Sequence, residues 1–67
     1  MIRIAKQGGE GHGPNYKEFI LTSPADVTSL PNSQTAAPDT ADVGSVAYTQ
    51  DMTHTYLLGN DDVWREV

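Results

Sequence analysis

The chain has 67 residues, nine Asp and Glu against four Lys and Arg, two His and no Cys. That length holds one small domain at most, and the absence of Cys excludes disulfides and Cys-ligated zinc as sources of stability. The net charge of -5, with Arg3, Lys6, Lys17 and Arg65 scattered along the chain, argues against a nucleic-acid or membrane surface, since both need clustered cations.

Residues 1–7, MIRIAKQ, alternate at Ile2 and Ile4 and suit a short edge strand or an extended arm. Four Gly and a Pro in GGEGHGPN make residues 8–15 a flexible loop, so residues 1–15 are expected to act as an arm outside the compact unit. The stretch YKEFILT, 16–22, is rich in aromatic and β-branched types and predicts a strand. In SPADVTSLP, Ser23 can cap, Pro24 fits the first helical position and Asp26 favours the helix start, while Pro31 stops the turn. This predicts one or two helical turns over 24–30 with Val27 and Leu30 facing inward. Residues 31–42, PNSQTAAPDTAD, have no period and form a connector.

From Gly44 onward the pattern is a β-meander. A turn centred on Met52-Thr53 joins strands 45–50 and 55–59, placing Tyr48 opposite Leu57 and Thr49 opposite Tyr56. A turn over Gly59-Asn60-Asp61-Asp62 then places Leu58 opposite Val63 and Leu57 opposite Trp64. Alternation collects Val46, Tyr48, Leu57 and Trp64 on one face, and Ala47, Tyr56, Leu58, Val63 and Val67 on the other. Both faces are partly apolar, whereas a free sheet has a polar solvent face. The expected core is Phe19, Leu21, Val27, Leu30, Val46, Leu57 and Trp64. Ile2, Ile4, Tyr48, Tyr56, Leu58 and Val63 are assigned to an interface. The fold class is therefore mainly β: a small antiparallel meander with one short helical turn and an extended N-terminal arm, the domain spanning 16–67.

No motif carries catalysis or a cofactor. GGEGHGP lacks the Lys and Ser/Thr of a phosphate loop, and Glu10 would repel phosphate. His12 and His54 have no ligand-spaced carboxylates, and Asn60-Asp61-Asp62 lacks the Ca²⁺-loop spacing, so no metal is expected. Ser23, Ser29, Ser33 and Ser45 lack a base and an orienter. The chain is too short to build a pocket of ligand size. It reads as no enzyme, with no cofactor, nucleic acid or membrane as partner. The start has too short an apolar run for a signal peptide, and no segment reaches membrane-spanning length, which points to synthesis in the cytoplasm.

The order FILTSPADVTSLP, a polar linker, GSVAYT and then TYLLGNDDVWREV resembles a family of small accessory virion proteins of tailed bacteriophages, of the head-fibre or capsid-decoration type. The likeness covers residues 19–67 and rests on Asp26, Leu30, Pro31, Gly44, Ser45, Ala47, Tyr56, Leu58 and Trp64. One departure is the first hairpin turn, where that family commonly has a Gly and this chain reads Asp51-Met52-Thr53-His54. The resemblance implies a structural virion protein that binds capsid or another virion protein. The thin core (13 Leu, Ile, Val and Phe) adds the expectation of a homo-oligomer, a trimer above all. Three other expectations stand beside it: a phage regulator that binds a host protein through its acidic surface, a tail accessory protein, and a small ligand-binding module using the aromatic face.

Overall fold

Ile2–Gln7 (β1) and Lys17–Leu21 (β2) pair antiparallel, with Ile2 opposite Leu21 and Ile4 opposite Phe19. A bulge between Ile4 and Lys6 bends β1. The computed structural model describes residues 1–9, 11 and 13–67; Glu10 and His12, considered above for phosphate repulsion and metal ligation, lie outside the described residues. The first residues are therefore an edge strand of the chain's own sheet rather than a detached arm. Their alternation suffices because β2 supplies the backbone partners and an apolar row for Ile2 to pack on.

Val46–Thr49 (β3), Thr55–Leu58 (β4) and Trp64–Glu66 (β5) form the antiparallel meander. The sheet runs β1-β2-β3-β4-β5, and its one parallel pair joins β2 to β3. The fold is mainly β, as the sequence predicts, but the sheet is mixed. A parallel pair needs a crossover, and residues 22–45 provide it.

The crossover begins with a 3-10 helix, Pro24–Ser29. Ser23 and Asp26 close a capping box over its start, and the Leu30 N–H bonds Val27 O before Pro31 ends the helix. Val27 and Leu30 pack on the core as expected. Beyond the helix the connector is tied down by its backbone: Ala41 N–H donates to Asn32 O at 3.1 Å, and the Thr40 hydroxyl donates to Asn32 O at 3.2 Å. It covers one face of the sheet, where Phe19, Leu21, Ala41, Ala47, Tyr56 and Leu58 are buried together. The Cα radius of gyration, 10.8 Å, matches the value of about 11 Å for a folded chain of this length.

Lys17 is 1 % exposed. Its side chain lies on the covered face beside the connector, and its ammonium donates to the carbonyls of Pro38 (3.0 Å) and Thr40.

The first hairpin pairs Val46 with Leu57 and Tyr48 with Thr55, two positions from the expected register, which leaves each side chain on its expected face. The second pairs Leu58 with Trp64 and Leu57 with Arg65, one position from expectation, and this turns β5 over. The cause is the loop. Gly59 N–H bonds Val63 O and Asp62 N–H bonds Gly59 O, so the loop has three residues, with Asp62 left-handed at φ 65°.

Met52 also sits in the left-handed region, at φ 65°, at the position where a Gly costs nothing. Met52 is exposed, so Met52→Gly should remove this strain at little loss of packing. The expected gain is about 0.5–1 kcal/mol, read as a higher melting temperature.

Three carboxylates are held below their ordinary value of 3.8. Asp26 is held by the N-terminal ammonium at 2.7 Å, then by Thr22 and the Ser23 N–H; Asp51 by the hydroxyls of Thr49 and Thr53; Asp61 by Arg65 at 2.5 Å. A carboxylate lowered on folding stabilises the fold above its unfolded value, and that contribution disappears as pH falls through the folded value. Thermal stability should accordingly change little between pH 7 and 5 on account of these groups, then drop below about pH 4. Asp26→Asn should blunt the drop.

Candidate interaction surface

The two faces of the sheet are unlike. Cross-strand partners share a face, so the registers place Glu18, Ile20, Val46, Tyr48, Thr55, Leu57 and Arg65 on the face opposite the crossover. Ile20, Val46 and Tyr48 are half-buried by their neighbours, and Leu57 is exposed, at 43 %. Val63, next to the turned strand, is exposed as well. The result is an apolar strip along β2, β3 and β4.

The cations flank that strip. Arg3 lies opposite Ile20 and Lys6 opposite Glu18 on β1, and Arg65 lies opposite Leu57 on β5. Three of the four basic residues of an acidic chain thus share this face, while the fourth, Lys17, is buried on the other. Arg65 is tethered by Asp61 (2.5 Å), and the Glu18 carboxylate accepts from the Tyr16 hydroxyl (2.8 Å). Burial, and next the Glu18 carboxylate, raise the Tyr16 phenol above its usual range. No ion pair of Arg3 or Lys6 is found among the described residues.

The expected core and interface sets are partly exchanged. Phe19, Leu21, Val27, Leu30 and Trp64 belong to the core side as predicted. Val46 and Leu57, expected in the core, lie on the open face; Tyr56 and Leu58, expected at an interface, are buried at 6 % and 0 %. β4 is apolar on both sides, so its own pattern does not choose. The choice is made by the pairing of Phe19 with Ala47, which aligns the Phe19 row with Tyr56 beneath the crossover. Tyr48 is half-buried and Val63 is exposed. Ile2 packs against the core and Ile4 is half-exposed.

Ile2, Ile4, Phe19, Leu30, Pro31 and Asp39 help line an open cleft of about 450 Å³ between β1 and the connector. This volume falls within the range of ligand pockets, so the chain does build a cavity that its length was expected to forbid. The lining is mainly apolar, with Ser29, Thr35 and Asp39 as its polar members.

The acidic turns are not equivalent. Asp51, Asn60 and Asp61 are exposed. Asp62, by contrast, accepts from the Ser33 N–H at 3.0 Å and from the Asn32 amide, so it clasps the connector instead of facing solvent. His54 stacks on Tyr56 and lies 2.7 Å from Glu66. Burial and the Glu66 charge raise the Tyr56 phenol above its usual range. Among the described residues no three His, Asp or Glu side chains converge as metal ligands, and no helix is long and apolar enough to cross a membrane.

The uncovered strip was legible in sequence as a two-sided meander. Its cationic border was not, because Arg3, Lys6 and Arg65 come together only through pairing of the two chain ends to the same sheet. No protein-family model, curated protein or solved structure matches the chain.

Proposed function

We propose that this chain is a non-catalytic structural protein of a tailed-bacteriophage particle, a capsid-decoration or head-fibre component that works by docking on a larger virion protein. The observation that supports this reading is the apolar strip Ile20, Val46, Tyr48 and Leu57 left open on a sheet whose other face is already covered. A sheet face meant only for water carries polar residues at such positions. The resemblance over residues 19–67 supplies the virion context.

Mass spectrometry of purified particles tests the proposal. The chain should be present at a high copy number set by the particle's symmetry; its absence from particles would sink the virion role. Sedimentation at micromolar concentration decides whether the unit also self-associates as the trimer expected from its small apolar content. A second reading, a module for an apolar ligand, draws on the cleft beside Ile4 and Leu30.

A further inference from the structure

We infer that the open face receives an amphipathic helix of a different protein, its apolar stripe lying over β3 and its two flanks acidic. The inference rests on the docking role proposed above and names the chemistry of the partner.

The geometry carries it. Neighbouring strands lie about 4.8 Å apart, so β1 and β5 are each about 10 Å from β3. A helix with its side chains is about 10–12 Å across. Laid along β3, its apolar stripe covers Ile20, Val46, Tyr48 and Leu57. Its flanks reach Arg3 and Lys6 on one side and Arg65 on the other. The four residues of β3 span about 13 Å, which matches roughly nine helical residues. Two carboxylates meet this frame: Glu18, opposite Lys6 and engaged by the Tyr16 hydroxyl, and Asp61, which pairs Arg65 at its border and leaves Arg3 and Lys6 as the cations without an ion pair among the described residues.

The same charges disfavour a second copy of the chain. Two open faces packed together with two-fold symmetry set cationic edges against cationic edges, whichever strand direction is used. Packing the open face on another copy's crossover side would lay the strip over a connector of small and polar side chains rather than a broad aliphatic face. Ser33, Gln34, Ala36, Ala37, Pro38 and Asp39 dominate the exposed connector there. Strand addition at the edges fits less well too: β1 carries a bulge and two cations, and β5 has only three residues.

The test uses the ¹⁵N-labelled full chain and a short peptide held helical by an i, i+4 lactam, with Leu at i, i+3, i+4 and i+7 and Glu on both flanks. Amide shifts should change over Arg3, Ile20, Val46, Tyr48, Leu57 and Arg65, and binding should weaken with added salt. Replacing every Glu by Lys in the peptide should weaken binding at least about tenfold, and so should Leu57→Asp or Arg3→Glu in the protein. Both sites are exposed, and far-UV circular dichroism checks that each variant is folded.

Equal binding of the Lys peptide, shifts centred on the cleft or the connector, or no binding at millimolar peptide would overturn the inference. Concentration-dependent shifts of the open face without peptide would assign it to a second copy, and preferential binding of oligothymidylate would assign it to nucleic acid; either result overturns it. Leu57→Asp retained on particles at parental copy number removes this face from assembly and leaves the virion role standing. Peptide binding by a chain absent from particles does the reverse.

Discussion

Trp64→Ala is expected to lower the unfolding free energy by about 3 kcal/mol, the lower end of the range for truncating a packed aromatic, because Trp64 is only partly buried. The indole does two things at once. Its ring meets Phe19 edge-on, with centroids 6.0 Å apart at 75°, and its N–H donates to Pro31 O at 2.8 Å. One side chain on the last strand therefore holds both the centre of the core and the start of the connector. A domain of this size has about 3–10 kcal/mol in total, so the variant should be marginally folded at 25 °C in urea titrations. Trp64→Phe separates the contributions. It keeps an aromatic ring against Phe19, loses the N–H and should cost about 1 kcal/mol more than ring truncation alone explains. A Trp64→Ala variant that melts with the parent would mean that the connector is held without it.

The second large effect is at Lys17. Lys17→Ala removes a buried four-carbon stem and leaves Pro38 O and Thr40 O without their donor. The two hydrogen bonds to a charged group and the cavity together should cost about 3 kcal/mol or more. Lys17→Met fills the same space with an apolar side chain but cannot donate. It should recover the packing and leave a loss of about 1–3 kcal/mol from the orphaned carbonyls. If Lys17→Met is instead as stable as the parent, water reaches the two carbonyls and the ammonium is not needed to close the connector. Chemical denaturation of the two variants decides.

Much of the fold is legible along the sequence because its signals are local. Ser23, Pro24 and Asp26 specify a capped turn within four residues, and Pro31 ends it, so the 3-10 helix falls where the caps place it. The Gly59–Asp62 turn is equally plain, but its loop length is not. Asp62 tolerates positive φ, which lets the loop close on three residues and carries Trp64 to the Phe19 side. Lys17 looks like a surface cation in sequence; only the connector's carbonyls, brought over it by tertiary packing, make its burial possible. The same holds for Ala41 and Ala47, too small to stand out in a hydrophobic pattern yet fully buried. The candidate site depends on pairs such as Arg3 with Ile20 and Ile20 with Tyr48, which join distant segments that no periodicity links.

The parallel pairing of β2 with β3 has a kinetic consequence. β3, β4 and β5 meet through short loops, whereas Glu18 must find Val46 across the whole crossover. Such pairing raises contact order, and the loop must lose its freedom before the contacts repay it. The C-terminal hairpins should then form early, and the docking of β1 and β2 should limit the folding rate. Until β3 and the connector dock, the β1–β2 hairpin leaves the apolar side chains of Phe19 and Leu21 uncovered.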